Sequence, residues 1–447
     1  MKPRPNADSN QLDLFQAQFT RILDLDHPLV VLADKIQWHR FELALAACFP
    51  SDLGAPALST RLIIGLFYLK HAFNESDELL LERWIENPYW QYFCGFSTMQ
   101  HELPLHSTSL VKWRQRVGAE RLAELLKETL DLAVREKHIA PSELRQVNVD
   151  TTVQEKNITH PTDSKLLHKA IQKLALAANR RGLQLRQTYV RVAKRTAIKV
   201  GRYAHAKQFK RMHRELRKLK TWLGRMLRDI RRKQPQPDSA LEKLLSLCER
   251  LHQQKPTDSG KLYSLHEPEV VCISKGKAHK RYEFGQKIAL ATSNRGNWIV
   301  GVHLCGGNPY DGHTLTSTLE NVTKNTGLEV ITAYVDKGYR GHGYQGSATI
   351  RVAGTSTRGL TRTEKRRRLR RSAIEPKIGH LKADNRMNRC FLRGLNGDAI
   401  NAVLAAAGSN LRKLLRKLFC ALILPLMSVV LERFWSQNDR LPVQVPA

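Results

Sequence analysis

The chain has 447 residues, and its 42% hydrophobic content is that of a globular protein with room for two or three domains. Seventy-three Lys and Arg against 41 Asp and Glu leave a formal charge of +32, which would oppose compaction unless a polyanion neutralised it. Nucleic acid is the expected polyanion, with a ribosomal or membrane-surface role as the blander alternative.

In chain order, Met1 to Asn10 is polar, so no secretory leader is expected. The segment 1–145 reads as a helical N-terminal domain, with helix from about residue 12. Arg61 to Phe73 (RLIIGLFYLKHAF) carries apolar residues at helical spacing, and aromatics cluster between Trp84 and Phe93 as a packed core. Ser107-Thr108-Ser109 supplies N-cap chemistry for a helix holding Lys112, Trp113, Arg114 and Arg116. With the helix before it, this is either a helix-turn-helix reader of DNA ends, with Arg114 on phosphate, or a plain bundle with a solvated basic face.

From Gln146 the pattern changes. Val147 to Val153 (VNVDTTV) is β-branched and apolar, which predicts a buried strand. A long insertion follows, 164–258. Its middle, Arg180 to Lys233, is overwhelmingly basic, with Glu215 and Asp229 as the exceptions. Leu216, Leu219, Trp222, Leu223, Met226 and Ile230 recur there at helical spacing, predicting an amphipathic helical hairpin with one cationic side. Arg214, Arg217 and Lys218 on that side are candidate DNA-backbone contacts.

Strands are expected again at Pro268 to Ser274 and in a hairpin over Arg281 to His303, turning at Ser293 to Asn297. Leu328 to Val335 is a third apolar run, ending at Asp336. Ala353 to Lys365 reads as a Gly/Thr/Arg-rich loop, and helix resumes near Glu364 towards Leu418 with interruptions. The apolar run Leu418 to Leu431 is shorter than the roughly 20 residues of a spanning helix and holds Pro425. It predicts a buried or partner-binding helix in a C-terminal segment, 416–447, and no membrane association. Seven scattered cysteines without a CxxC pair fit a reducing cytoplasm better than a disulfide framework or a zinc module.

Three acids stand out. Asp150 and Asp336 each follow a short apolar run, and Glu375 lies among cations in Arg371 to Lys382 (RSAIEPKIGHLK). Metal-assisted phosphodiester chemistry needs carboxylates that hold two divalent ions roughly 3.5–4 Å apart, and adjacent parallel strands would bring two such acids side by side. Arg371, Glu375 and Lys382 fall within about 40° of one another on a continuous α-helix. Pro376 either kinks that helix or marks its start, with Glu375 near the cap.

At these residues the sequence resembles the bacterial insertion-sequence transposases of the DDE type, in the group named for insertion sequence five. The resemblance rests on Val149 to Ile158 with Pro161-Thr162-Asp163, on Gly307 to His313, on Val335 to His342, and on Arg371 to Lys382. It implies a ribonuclease-H-like α/β core over 146–415, a mixed sheet with helices, interrupted by the basic insertion. It also implies a catalytic and metal-binding triad of Asp150, Asp336 and Glu375. Two Mg²⁺ ions are implied as cofactor, with Mn²⁺ as a substitute.

Lys337, Arg340, Arg371 and Lys382 would contact phosphate. The family's tyrosine near the last acid is replaced here by Arg368. Asp311 and His313 read as a strand-end turn or a supporting pair rather than ligands. The implied partners are double-stranded DNA, as terminal inverted repeats and target, and a second copy of the chain; the implied setting is the bacterial cytoplasm, at the nucleoid. A catalytically inactive DNA-binding descendant and a structure-specific nuclease with the same core are the alternatives.

Overall fold

The computed structural model describes residues 17–49, 57–274, 281–355 and 358–438, with side chains up to residue 420. The polar segment Met1 to Asn10 lies outside the described residues, as do nearly all side chains of the apolar run Leu418 to Leu431. The N-terminal third is helical: α1 (Phe19–Ile22), α2 (Pro28–Lys35), α3 (Trp38–Leu45), α4 (Thr60–Phe73), α5 (Asp77–Glu86), α6 (Pro88–Phe93), α7 (Ser107–Arg135) and α8 (Pro141–Leu144). Helix α4 is apolar nearly all round and is buried nearly all round. It stops at Asn74, whose left-handed conformation (φ 64°) ends the helix. Helix α7 is interrupted at Gly118 (φ 76°, ψ 167°), which separates the turn bearing Trp113 and Arg114 from the long C-terminal part.

Two expectations change here. Residues 94–106 separate α6 from α7, too long a connection for the short turn of a helix-turn-helix. Nor does the N-terminal segment own its core. One continuous apolar cluster runs from Leu29 through Leu66, Leu125 and Val147 to Ile288, Ala333 and Leu411, joining these helices to the sheet.

The sheet is built around β1 (Gln146–Lys156). The apolar run predicted there continues through Asp150, which therefore lies within the strand and not at its end. Strand β2 (Val271–Ser274) and β4 (Ile299–Leu304) both pair antiparallel with β3 (Tyr282–Ser293), which pairs antiparallel with β1. On the other side of β1 stand β5 (Thr332–Val335), parallel over Gln146–Asn148, and β7 (Arg389–Cys390), parallel over Glu155–Lys156. Strand β6 (Thr349–Val352), four residues that the sequence reading passes over, extends the sheet parallel to β5.

Helix α13 (Leu315–Thr326) packs on β4. Helix α14 (Arg362–Leu369), a 3₁₀ turn (Arg370–Ala373) and α15 (Ile374–Asp384) lead into β7. Helix α16 (Gly394–Asn438) then runs through Pro425 as one element, so the boundary expected at residue 416 falls inside it. No helix among the described residues is long and apolar enough to cross a membrane.

The insertion is larger than a hairpin. It forms four helices, α9 (Asp163–Arg180), α10 (Val190–His205), α11 (Phe209–Lys233) and α12 (Ser239–Gln253). They enclose a core of their own, which includes Ile171, Leu223, Ile230 and Leu245.

Where the insertion leaves and rejoins, burial tightens. Lys156, 2% exposed, pairs with Asp398 (2.9 Å) and Glu267 (3.2 Å), both buried. These contacts tie the end of β1 to the start of α16 and to the insertion's return path. Removing one partner from such a group costs about 3–5 kcal/mol, because the remaining charges stay buried. Lys156→Met is therefore expected to lower the unfolding free energy by about that amount, read as a lower urea midpoint.

Candidate active site

The β1–β5 register pairs Gln146 with Thr332, Val147 with Ala333 and Asn148 with Tyr334. Asp150 lies two residues beyond the last of these pairs on β1, Asp336 directly follows the end of β5, and the charges of both act on Tyr339. Both residues are half-buried. Beyond Val335 the chain leaves the sheet in a 3₁₀ turn (Lys337–Tyr339), and the Asp336 Oδ1 accepts the Gly338 N–H at 2.9 Å. Asp150 Oδ1 accepts the Thr151 N–H at 2.7 Å. The turn thus fixes one carboxylate and the strand the other.

Asp311 joins them from a 3₁₀ turn (Asp311–Thr314) before α13. Its Oδ1 accepts from Thr151 Oγ1 (2.9 Å) and from Lys287 Nζ (3.0 Å). A Cβ at Gly338 would stand 3.0 Å from Asp336 Oδ1 and 3.4 Å from Asp311 Oδ2, so a side chain there would crowd both carboxylates. Burial, and then the charges of Asp150 and Asp311, push the buried Tyr339 phenol well above its ordinary pKa. Lys287 escapes a motif-based reading, its signal being a lone lysine inside the apolar run of β3. Tyr339 falls within the Val335 to His342 motif, but the motif assigns it no role.

The third acid arrives on a helix. Asn148, on the same face of β1 as Asp150, donates to Arg370 O (3.2 Å), and Asn294 bridges Asn148 and Arg367 O. Asn297 donates to Ala373 O (2.9 Å). With β7 paired to the far end of β1, α15 runs along β1 and carries Glu375 in its first turn. Pro376 sits in that turn, where its missing N–H removes no helical bond. Arg371 lies in the preceding 3₁₀ turn, so the single continuous helix through Arg371, Glu375 and Lys382 is not what forms. Arg371 still reaches Glu375 Oε1, at 3.4 Å. Glu375 is 62% exposed, and among the described residues no three His, Cys, Asp or Glu side chains converge as a metal site.

The cations divide into two kinds. Lys337 and Arg340 are exposed and follow Asp336 closely in the chain, Arg371 is half-buried at Glu375, and Lys382 is half-buried about two turns further along α15. Arg214, Arg217 and Lys218 are exposed on α11, on a face continued by Arg225, Arg228 and Arg232. Arg114 is different. It is 2% exposed and forms a two-pronged ion pair with Asp77, which also holds Lys70. Burial works against ionisation of Asp77, but Lys70 and Arg114 hold its carboxyl down to about 2. Arg114 is thus a structural cation inside the helical segment and is not offered to DNA. Arg368, in the place of the family's tyrosine, donates to Thr355 Oγ1 (3.0 Å).

Residues 251–411, which include Asp336 and Glu375, match the family model described as a transposase DDE domain, and residues 17–116 match a transposase domain, DUF772. The chain belongs to the DDE transposases. Asp150 lies between the two matched segments. An uncharacterized protein, ORF8 in the nfe locus of Rhizobium meliloti, is 48% identical over 210 residues, 47% of this transposase and 100% of the relative. No solved structure matches the chain. The family acts on DNA and generally uses divalent metal.

The carboxylates of Asp150 and Asp336 are hard oxygen donors of the kind that Mg²⁺ takes together with water. Saturating Mg²⁺ is expected to raise the melting temperature of the wild-type protein by about 2–4 °C. Asp150→Asn should abolish that shift in a calorimetric scan, and an equal shift in the variant would remove Asp150 from the ligand set.

Proposed function

We propose that this transposase cuts DNA at the ends of its insertion sequence and joins the freed end to target DNA, through a ribonuclease-H-like core. The observation that supports the reading is that Asp150 on β1 and Asp336 just after the parallel strand β5 both act on Tyr339, with α15, which carries Glu375, packed on β1. Asp150, Asp336 and Glu375 would hold Mg²⁺, two ions being expected and Mn²⁺ a substitute. Bound metal would supply Lewis-acid activation of the attacking oxygen and stabilise the leaving one.

The chain's own groups do the rest. Lys337 and Arg340 face a phosphate approaching Asp336, while Arg371 and Lys382 do so on the Glu375 side. Asp311, held by Lys287 and Thr151, keeps the Gly338 turn closed under Asp336. Hydrolysis of the phosphodiester at an element end leaves a 3′-hydroxyl, and attack of that hydroxyl on a target phosphodiester completes transfer without a further energy source. Joining two ends calls for two copies of the chain. The exposed cationic face of α11 would lie along the DNA backbone, adding sequence-independent affinity.

Asp150→Ala is expected to reduce Mg²⁺-dependent nicking of DNA carrying the element's own flanks by about a thousandfold or more, with binding nearly unchanged. Parallel loss of nicking and binding would count against the assignment. The triple variant Arg214→Ala, Arg217→Ala, Lys218→Ala should weaken binding and flatten its log–log salt dependence by about 3 at most. An unchanged salt slope would make α11 a structural element only.

A further inference from the structure

A second cationic feature lies away from the three acids. On α15, Lys377 stands about 200° around the helix from Glu375, whereas Lys382 is within about 20° of it. Lys377 and His380 therefore look away from the acid, into a cleft of about 430 Å³ between α15 and α16. Arg412, Lys413, Arg416 and Lys417 line its other wall. The row on α16 spans about 7 Å of helix, longer than a single phosphate group.

Carboxylates are few here. Asp384 is engaged by His380 (3.1 Å) and Arg412 (3.8 Å), and Glu143, from α8, acts on Lys413. Among the described residues Lys377 meets a neutral partner, Ser409 Oγ at 2.8 Å. Burial, then Lys413 and Arg416, push the Lys377 ammonium down to about 7. Burial likewise lowers Lys413 to about 8, although its ammonium donates to Gly296 O and sits 4.3 Å from the Trp298 ring centre.

We propose that the cleft between α15 and α16 is a second DNA-backbone site, in which Lys377, Arg416 and Lys417 hold phosphates of a duplex on the side of α15 opposite Glu375. This rests on the transposase reading. The cleft gathers cations without matching acids, and its exposed rim at Arg416 and Lys417 is open to a continuous strand. Repulsion among these cations is relieved when phosphates enter, so binding there releases counterions and weakens as salt rises.

The test is fluorescence anisotropy of full-length protein with a labelled duplex carrying the element's flank, over a range of salt. Arg416→Gln with Lys417→Gln, both exposed, should weaken binding by about tenfold and flatten its log–log salt slope by about 2 at most. Lys377→Met should weaken binding in the same direction. Wild-type affinity and salt slope in the Arg416→Gln, Lys417→Gln variant overturn the cleft while leaving the transposase reading intact. Wild type that binds no duplex overturns both.

Discussion

Strand β1 is the constraint on which the rest of the molecule depends. Its two edges are used by three strands: β3 along one, and β5 and β7 at opposite ends of the other. The gap between β5 and β7 is where Asp150 sits and where the chain leaves β5 at Asp336. Because side chains alternate along a strand, a slip of one residue would turn Asp150 onto the opposite face. The apolar residues Val147, Val149 and Val153, all fully buried, make that slip costly.

The other face of β1 is polar throughout, and its polar groups anchor different segments. Asn148 holds the turn before α15, Gln154 bonds Asp398 O and accepts from Asn401, and Lys156 pairs with Asp398 and Glu267. Buried polar groups of this kind are costly unless satisfied, so they specify one arrangement of α15 and α16 over the strand. Placement of Glu375 is therefore a consequence of hydrogen bonds made to the chain that precedes it, at residues 367–373.

Positive charge is distributed by a different logic. Cations that neighbour acids inside the fold, such as Arg114 and Lys156, serve the structure. Those on the open face of α11 and in the cleft beside α16 outnumber the acids near them, and in the proposed function a polyanion relieves their mutual repulsion. The same chain composition thus yields cations used inside the fold and cations that the proposed function sets against DNA.

The sequence alone determined the family: charge balance, three acids in family-like motifs, and β-branched runs before two of them are local properties of the chain. It also determined the strands β1, β3 and β5 and the amphipathic period of α11. Only the tertiary structure decided that Arg114 is buried, because an ion pair with Asp77 across helices leaves no mark on local spacing. The same holds for the four-helix core of the insertion, whose partners lie many residues apart. Strand β6 is too short for its alternation to stand out, and it is defined by the edge that β5 offers it. The break before α15 follows from contacts of Asn148, Asn294 and Asn297 with the chain at 367–373. Short-range patterns encode which elements form; which side chains meet is decided by packing between segments far apart in the chain.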